Sequence, residues 1–300
     1  MQEMRTAPTG QDRITDIAGI RVGNAEDRAA RTGVTVLLPD APAVMGVDVR
    51  GGAPGTRETE ALDPACLIDA FHGVVLAGGS VFGLAAADGA AAWLSARGVG
   101  LPFGPHPIPV LPAAILFDLM NGGDKAWGDR PPYHDLGRRA AAAAATDFAC
   151  GPHGAGCGAV AGDRAGGLGT AALTAAAGYS VGALVAVNAF GPPLDADLRR
   201  IPLPKAGLPG GNTTIAVIAT DLALDKAGCR RLAIMAHDGL ARSLRPVHTP
   251  FDGDTVFAMA TGARPLPEPA ALHLAIAGAM AADALARAVE KAIAASNQSV

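Results

Sequence analysis

The sequence contains few aromatic and few charged residues. Of its 300 residues, 4% are Phe, Trp or Tyr and 17% are Asp, Glu, Lys or Arg, and the formal net charge is −4. Proteins that bind nucleic acid need a basic surface, and those that bind single strands also need aromatic rings on which bases stack. The composition therefore favours a small molecule or a peptide as partner rather than a nucleic acid.

Cysteine is scarce, and a long hydrophobic run is missing. Cys66, Cys150, Cys157 and Cys229 are widely separated, without the CxxC pairs of a zinc site or the density of a disulfide scaffold. Residues 269–286 are mostly alanine and include a histidine and an aspartate, whereas a membrane span needs ~20 strongly apolar residues. The opening MQEMRTAPTGQDR contains no apolar segment of a signal peptide. We therefore expect reduced thiols and a cytoplasmic protein.

Glycine and small apolar residues are abundant instead. With 39 glycines and 50% hydrophobic residues, helices and sheets can approach closely around a large core. Strands are predicted at the short apolar runs 33–38, 44–49, 74–77, 181–187, 215–219 and 256–260. Helical spacing of apolar residues follows several of these runs, which predicts a single layered α/β domain over residues 1–300.

The stretch GGNTTIAVIATD, residues 210–221, places two threonines at the start of an apolar strand. It follows a proline-rich loop, 191–211, in which the backbone could be cut without damage to a core. A cut before Thr213 would free an α-amine, whose unperturbed pKa of ~7.7–8.0 suits it to accept the proton of the threonine hydroxyl. The alternative is that Asn212 and the threonines form an ordinary turn.

A second polar motif, DGDT at 252–255, holds Asp252 and Asp254 one residue apart. Such a pair is compatible with a metal site, a turn or the nucleophile of an aspartate-dependent phosphatase. The phosphatase signature should follow a hydrophobic strand, whereas residues 246–251 include two prolines and a histidine.

Two glycine clusters resemble cofactor-binding loops only weakly. The cluster at 50–58 lacks the ending of a P-loop, and the cluster at 154–161 follows no clear strand. We therefore predict no cofactor, and we expect a tight turn tethered by Arg50 and Arg57 at the first cluster.

Several motifs occur in one order along nearly the whole chain: VRGGAPGTRETEAL at 49–62, LAGGSVFGLAAADG at 76–89, GAGCGAVAG at 154–162, GNTTIAVIATD at 211–221 and DGDTVFAMATG at 252–262. With them the sequence resembles the self-processing N-terminal-nucleophile hydrolases. That family includes L-aminopeptidase D-esterase/amidases, β-peptidyl aminopeptidases and 6-aminohexanoate-oligomer (nylon oligomer) hydrolases. The resemblance implies an αββα sandwich, of a type similar to the ornithine acetyltransferases.

The resemblance also implies that the precursor cuts itself between Asn212 and Thr213. An α chain, 1–212, and a β chain, 213–300, would then stay associated in a homo-oligomer. Thr213 would be the nucleophile both in self-cleavage and in turnover, whereas Thr214 should point to the opposite face of the strand. The motif at 252–255 would place two carboxylates, those of Asp252 and Asp254, beside the amine and hydroxyl of Thr213.

Four further positions follow from the resemblance. Asn188, at the end of an apolar strand, would stabilise the oxyanion, a role that can contribute roughly 3–4 kcal/mol. Gly79 and Phe82 would line the substrate site, although some relatives have a tyrosine hydroxyl where this chain has Phe82. Asp163 stands where certain relatives, nylon-oligomer hydrolases among them, carry a lysine, which weakens the case for nylon oligomers as substrates.

The implied function is that of an amidase or aminopeptidase, which releases N-terminal amino-acyl groups from small peptides, amides or esters through an acyl-enzyme. Two alternatives stay open: acyl transfer, as in ornithine acetyltransferases, and an unprocessed binding protein that uses the same pocket without turnover. His237 and His248 could approach the site, but we interpret both as buried hydrogen-bonding histidines.

Overall fold

The computed structural model describes residues 4–194 and 211–298, so most of the predicted proline-rich loop lies outside the described residues. The α-helices are α1 (Ala85–Ser95), α2 (Tyr133–Ala142), α3 (Lys226–Ser243) and α4 (Ala270–Asn297). The strands are β1 (Thr6–Pro8), β2 (Ile20–Asp27), β3 (Thr32–Pro39), β4 (Val44–Val49), β5 (Thr56–Arg57), β6 (Val74–Ala77), β7 (Ala113–Ile115), β8 (Val160–Ala161), β9 (Arg164–Ala165), β10 (Gly167–Ala175), β11 (Ser180–Asn188), β12 (Thr213–Leu222) and β13 (Thr255–Arg264). Each predicted strand falls within one of these.

Two sheets lie face to face at the centre of the fold. One has the strand order β1-β10-β11-β12-β13-β4 and the other the order β2-β3-β6-β7-β5. Side chains alternate between the two faces of a strand, so β12 sends Ile215 and Val217 into the core between the sheets and Ala216 and Ile218 into the core on its other face. This burial on both faces explains why the strand is a continuous apolar run.

Helices cover the outer face of each sheet. Leu232 of α3 and Leu285 of α4 share one core with Val185 of the six-stranded sheet. On the other side, Leu136 of α2 packs in a core with Val34 of the five-stranded sheet, together with the alanines of α1. The four layers therefore run α, β, β, α, and the predicted sandwich is confirmed.

Contrary to the expectation for residues 269–286, helix α4 is long and apolar enough to cross a bilayer by length and composition alone, but 56% of its most apolar stretch is buried inside the protein. Its buried residues, among them Ala277, Met280 and Leu285, belong to the core over the six-stranded sheet. In this fold α4 is a core helix.

Glycines at the helix–sheet contacts allow the backbones of helix and strand to come into direct contact. A Cβ at Gly169 of β10 would lie 2.0 Å from the carbonyl oxygen of Ala288 in α4. A Cβ at Gly23 of β2 would lie 2.0 Å from the carbonyl oxygen of Ala140 in α2. Helices on both sides of the sandwich therefore sit closer to the sheets than any side chain at these positions would allow.

Strands β12 and β13, joined by α3, form a parallel β-α-β unit. Their register runs from Ile215 opposite Thr255 to Thr220 opposite Ala260, while β11 pairs with β12 in antiparallel fashion. Parallel strands begin at the same edge of a sheet. The residues just before Thr255 therefore lie beside the first residues of β12.

We expect Gly169→Ala to lower the free energy of unfolding by about 1–3 kcal/mol, because the new methyl group must push α4 away from the sheet. Gly10→Ala is the matched control, since a Cβ there would have nothing within 4 Å, and it should change stability by less than about 0.5 kcal/mol. Urea unfolding followed by circular dichroism measures both values. Equal midpoints for the two variants would contradict this explanation of the glycine content.

Candidate active site

Three segments meet at the edge of the six-stranded sheet where β12 begins. Antiparallel pairing places Asn188, the last residue of β11, opposite Thr213. On the other side, Asn212 forms an isolated parallel bridge with Asp252, in the segment that leads into β13. The fold thus brings Thr213, Asn188, Asp252 and Asp254 together, although they are distant in sequence.

The hydroxyl of Thr213 lies against the peptide group that precedes it. Thr213 is buried, and its Oγ1 is 2.5 Å from the carbonyl oxygen of Asn212. The backbone N–H of Gly253 donates to Thr213 Oγ1 at 3.1 Å and to the Asn212 carbonyl oxygen at 3.2 Å. One N–H therefore contacts both the hydroxyl and the neighbouring carbonyl group.

Thr214 occupies the opposite face of β12. Because side chains alternate along a strand, Thr213 lies on the same face as Ile215 and Val217, which point into the core between the sheets. Thr214 lies on the other face, with the residues that point toward the helices. The Oγ1 atom of Thr214 is buried and has no hydrogen-bond partner among residues 4–194 and 211–298. The two threonines therefore occupy different faces, as predicted.

Asp254 is held in one orientation by three contacts. Its Oδ1 accepts from the N–H of Thr214 at 2.8 Å. Its Oδ2 accepts from the N–H of His248 at 3.0 Å and lies 2.8 Å from Nδ1 of the same histidine. Because a carboxylate accepts and does not donate, Nδ1 carries the hydrogen of this contact. The side chain of Asp254 is 1% exposed, so this network replaces water around it.

Asp252 lies on the other side of Gly253 and is also buried. Its Oδ2 accepts from the N–H and the hydroxyl of Thr249, at 2.8 and 2.6 Å, and its Oδ1 accepts from the N–H of Phe190 at 3.4 Å. Burial raises the pKa of Asp252, and the charge of Asp254 raises it further. The two carboxylates thus interact across the residue whose N–H contacts Thr213.

The amide of Asn188 is fixed by backbone groups. Its Oδ1 accepts from the N–H of Val160 at 2.9 Å, and its Nδ2 donates to the carbonyl oxygen of Phe117 at 2.9 Å. A backbone N–H on one side and a carbonyl on the other determine which amide atom is the nitrogen. The NH2 group has two hydrogens, of which one is donated to the Phe117 carbonyl and the other is left for a second acceptor.

Gly79 and Phe82 lie in the turn that follows β6. Gly79 has a φ of 86°, and a Cβ there would lie 2.0 Å from the Tyr133 ring, so glycine is required. Phe82 is 44% exposed and packs edge-on against Trp127, with ring centroids 6.2 Å apart. Phe82 is therefore a packing residue at the surface.

A buried aspartate that the sequence analysis did not single out links this turn to Asn188. Asp118 follows Phe117, and its Oδ1 accepts from the N–H of Gly79 at 2.8 Å, while its Oδ2 accepts from the hydroxyl of Thr32 at 2.6 Å. Burial raises the pKa of Asp118. The signal that could have identified it is its position directly after the apolar run AAILF.

The glycine-rich turn after β4 braces Asp252 and Asp254. The N–H groups of residues 50 and 51 donate to the carbonyl oxygen of Asp254 at 2.9 and 3.2 Å, and the N–H of residue 53 donates to that of Asp252 at 2.8 Å. The side chains of Arg50 and Arg57 form ion pairs with other aspartates. The two arginines therefore do tether the turn, Arg57 to Asp88 of α1 and Arg50 to Asp48 of β4, and the backbone groups hold it in addition.

Two glycines were missed as parts of the site. A Cβ at Gly253 would lie 2.7 Å from Thr213 Oγ1, and a Cβ at Gly51 would lie 2.3 Å from the backbone nitrogen of Asp254. Both glycines allow backbone segments to approach closely around Thr213. The only sequence signal was a glycine between two aspartates.

The other positions singled out in the sequence are Asp163, the glycine cluster 154–161 and the four cysteines. Asp163 is exposed, in the turn between β8 and β9. Residues 154–156 form a short 3-10 helix rather than the start of a dinucleotide-binding unit. Among the residues that the structure describes, no group of three or more His, Cys, Asp or Glu could hold a metal ion, and the four cysteines are free thiols.

Comparison with known families and proteins gives one consistent result. The family model for peptidase family S58 matches residues 12–299. An uncharacterized aminopeptidase of Mycobacterium tuberculosis (strain ATCC 25618 / H37Rv) is 47% identical over 319 residues, covering 92% of this chain and 92% of its own. A 6-aminohexanoate-oligomer endohydrolase of Kocuria sp. (strain KY2) is 29% identical, covering 86% of this chain and 78% of its own.

Solved structures share the fold. A Burkholderia sp. beta-aminopeptidase superposes with a TM-score of 0.74 at 26% identity, covering 98% of this chain and 90% of its own. The L-aminopeptidase D-Ala-esterase/amidase of Ochrobactrum anthropi, described as a variant of the Ntn hydrolase fold, gives a TM-score of 0.73 at 22% identity, covering 97% of this chain and 88% of its own.

The pKa of Asp252 should lie above that of an ordinary aspartate, and Asp254→Asn should lower it, because the variant removes the neighbouring charge. Carbon-13 NMR titration of the carboxyl groups measures both values. Since the folded-state pKa is raised, the stabilisation from this group is fully present below the unfolded pKa and is lost as the pH rises through the folded pKa. Asp221→Asn, at the far end of β12, is the control and should leave the pKa of Asp252 unchanged. An unchanged pKa of Asp252 in Asp254→Asn would contradict the coupling between the two carboxylates.

Proposed function

This chain belongs to peptidase family S58 and is a hydrolase, and on that premise we propose that it is a self-processing aminopeptidase whose nucleophile is Thr213. The observation that carries the proposal is the contact of Thr213 Oγ1 with the Asn212 carbonyl group, with the N–H of Gly253 donating to both. A hydroxyl, an acyl group and an oxyanion donor are thus assembled before any cut is made.

Self-cleavage proceeds by attack of the Thr213 hydroxyl on the Asn212 carbonyl carbon. The C–O bond forms, the C–N bond to the Thr213 nitrogen breaks, and the hydroxyl proton passes to that nitrogen, which leaves an ester and a free α-amine. The N–H of Gly253 supports the transient negative charge on the Asn212 oxygen. Water then hydrolyses the ester and releases the Asn212 carboxylate.

The two resulting chains remain one folded unit. Strand β12, which would begin the β chain, hydrogen-bonds to β11 of the α chain, and β13 of the β chain hydrogen-bonds to β4 of the α chain. Separation would break two strand ladders and expose the cores under α3 and α4. We also propose, from the family resemblance, that the processed protein is a cytoplasmic homo-oligomer.

In turnover the freed amine of Thr213 acts as the base for its own hydroxyl. The second hydrogen of Asn188 Nδ2 donates to the oxygen of the substrate carbonyl, since the first is held by Phe117. Asp254 accepts from the N–H of Thr214, one residue along the chain from the new amine, and its negative charge favours the ammonium form that follows proton transfer.

The substrate class is inferred from the residue that self-cleavage detaches from Thr213. Asn212 is paired with Asp252 in the precursor, and in the processed enzyme the acyl residue of a substrate takes its place. A free amino group of the substrate then lies near the buried carboxylate of Asp252. Because this contact requires a free amine, it favours N-terminal amino-acyl compounds over internal peptide bonds of folded proteins. The name aminopeptidase for the Mycobacterium tuberculosis relative supports this choice.

Thr213→Ala should stay full-length, because it has no hydroxyl to attack Asn212, whereas Thr213→Ser should still be cut. Thr214→Ala, which alters a side chain on the opposite face of β12, is the matched control and should be cut as well. Denaturing gels after prolonged incubation separate these outcomes. Cleavage of Thr213→Ala at the same bond would exclude Thr213 as the nucleophile.

The processed enzyme should release p-nitroaniline from amino-acyl anilides at least about tenfold faster than from the same anilides with an acetylated amine, because acetylation removes the charge that the buried carboxylate recognises. Absorbance of p-nitroaniline measures both rates. The reverse ranking would disprove the aminopeptidase assignment, and so would activity seen only when an N-acetylated amino acid and a second amine are supplied together, which would indicate acyl transfer.

A further inference from the structure

His248 contacts the active-site carboxylate of Asp254 twice. Its backbone N–H donates to Asp254 Oδ2 at 3.0 Å, and its Nδ1 lies 2.8 Å from the same oxygen. The other oxygen of Asp254 accepts from the N–H of Thr214, the residue that follows the nucleophile. A single histidine thus supplies two of the three contacts described for this carboxylate.

The backbone of His248 adopts a conformation that makes both contacts possible. Its φ is 58°, in the left-handed region that a residue with a side chain adopts at some cost. This conformation turns the N–H and the imidazole toward one oxygen of Asp254. The side chain of His248 is 19% exposed, so its position depends on the residues packed around it.

His237 of α3 packs against the ring of His248. The two rings meet edge to face, with centroids 4.7 Å apart and an interplanar angle of 75°. Nε2 of His237 lies 3.0 Å from the carbonyl oxygen of Asp48 and therefore carries its hydrogen. Burial lowers the pKa of His237 to about 4, so at neutral pH this ring is uncharged and does not repel His248.

We propose that His248 is a positioning residue for the nucleophile. It holds the Asp254 carboxylate in the rotamer that anchors the Thr214 N–H, and this contact keeps the first residues of β12, Thr213 among them, in place beside the Gly253 N–H. His248 exchanges no proton with the substrate, and its effect passes through Asp254. The inference rests on the proposed function of Thr213, because it assigns a role within the same site.

Three substitutions separate the hydrogen bond from the backbone conformation. Asparagine tolerates positive φ and places an NH2 donor close to the position of imidazole Nδ1, so His248→Asn should keep the contact with Asp254. His248→Ala removes the side-chain donor and retains the strain of positive φ, whereas His248→Gly removes the donor and relieves that strain. His134→Ala, at an exposed position on α2, is the control for loss of a histidine.

We expect His248→Ala and His248→Gly to lower kcat for an amino-acyl anilide, and the rate of self-cleavage during cell-free synthesis, by about tenfold, with KM changed less than about threefold. His248→Asn should stay within about threefold of the unaltered chain in both assays. Wild-type kcat in His248→Gly would show that only the backbone conformation matters. A rate for His248→Asn as low as that of His248→Ala would show that the Nδ1 contact is not what positions Asp254. Either result overturns the proposal.

Crystal structures of the His248→Ala and unaltered chains decide the proposal independently of activity, and thermal melts confirm that each variant is folded. In His248→Ala the Asp254 carboxylate should rotate away from the Thr214 N–H, and an unmoved carboxylate would overturn the positioning role. If the unaltered chain neither cuts itself nor hydrolyses anilides, the proposed function fails. The position of Asp254 in the two crystals still accepts or rejects the role of His248.

Discussion

The parallel pairing of β12 with β13 is the constraint on which the site depends. Because the two strands run in the same direction, the residues before Thr255 must lie beside Thr213 at one edge of the sheet. Antiparallel pairing with β11 then places the end of that strand, Asn188, on the other flank. A shift of one residue in either register would turn Thr213 to the helix face and bring Thr214 toward the core between the sheets.

Backbone groups make the closest contacts with the Thr213 hydroxyl, and glycines make room for them. The N–H of Gly253 reaches Thr213 because no side chain intervenes, and Gly51 lets the turn after β4 lie directly on the aspartate segment. A backbone donor on a short, braced segment needs little reorganisation when charge develops on a carbonyl oxygen. The two buried carboxylates flank this donor, and each is compensated by neighbouring N–H or hydroxyl donors, without which its burial would be costly.

Local sequence predicted the α/β layering and the strands β3, β4, β6, β11, β12 and β13, because each of these strands contains a short apolar run. The long strands β2 and β10 were missed, because polar residues or glycines interrupt their sequences. Thr213 and the DGD motif, which the fold brings together, were also visible, since polar residues interrupt such runs. The hydrogen bonds from residues 50–53 could not be predicted, because hydrogen bonds between backbone groups do not depend on residue type. Asp118 and the contact of His248 with Asp254 depend on how distant loops pack, so a short sequence window gave no reason to connect them.

Attack of Thr213 on its own preceding peptide bond within the folded precursor is tested by the intact mass of the purified, fully incubated protein. We expect two polypeptides, one ending at Asn212 and the other beginning at Thr213, that elute together under native conditions. A single mass corresponding to residues 1–300, unchanged after long incubation of a folded sample, would exclude this reaction. So would a cut at any other bond.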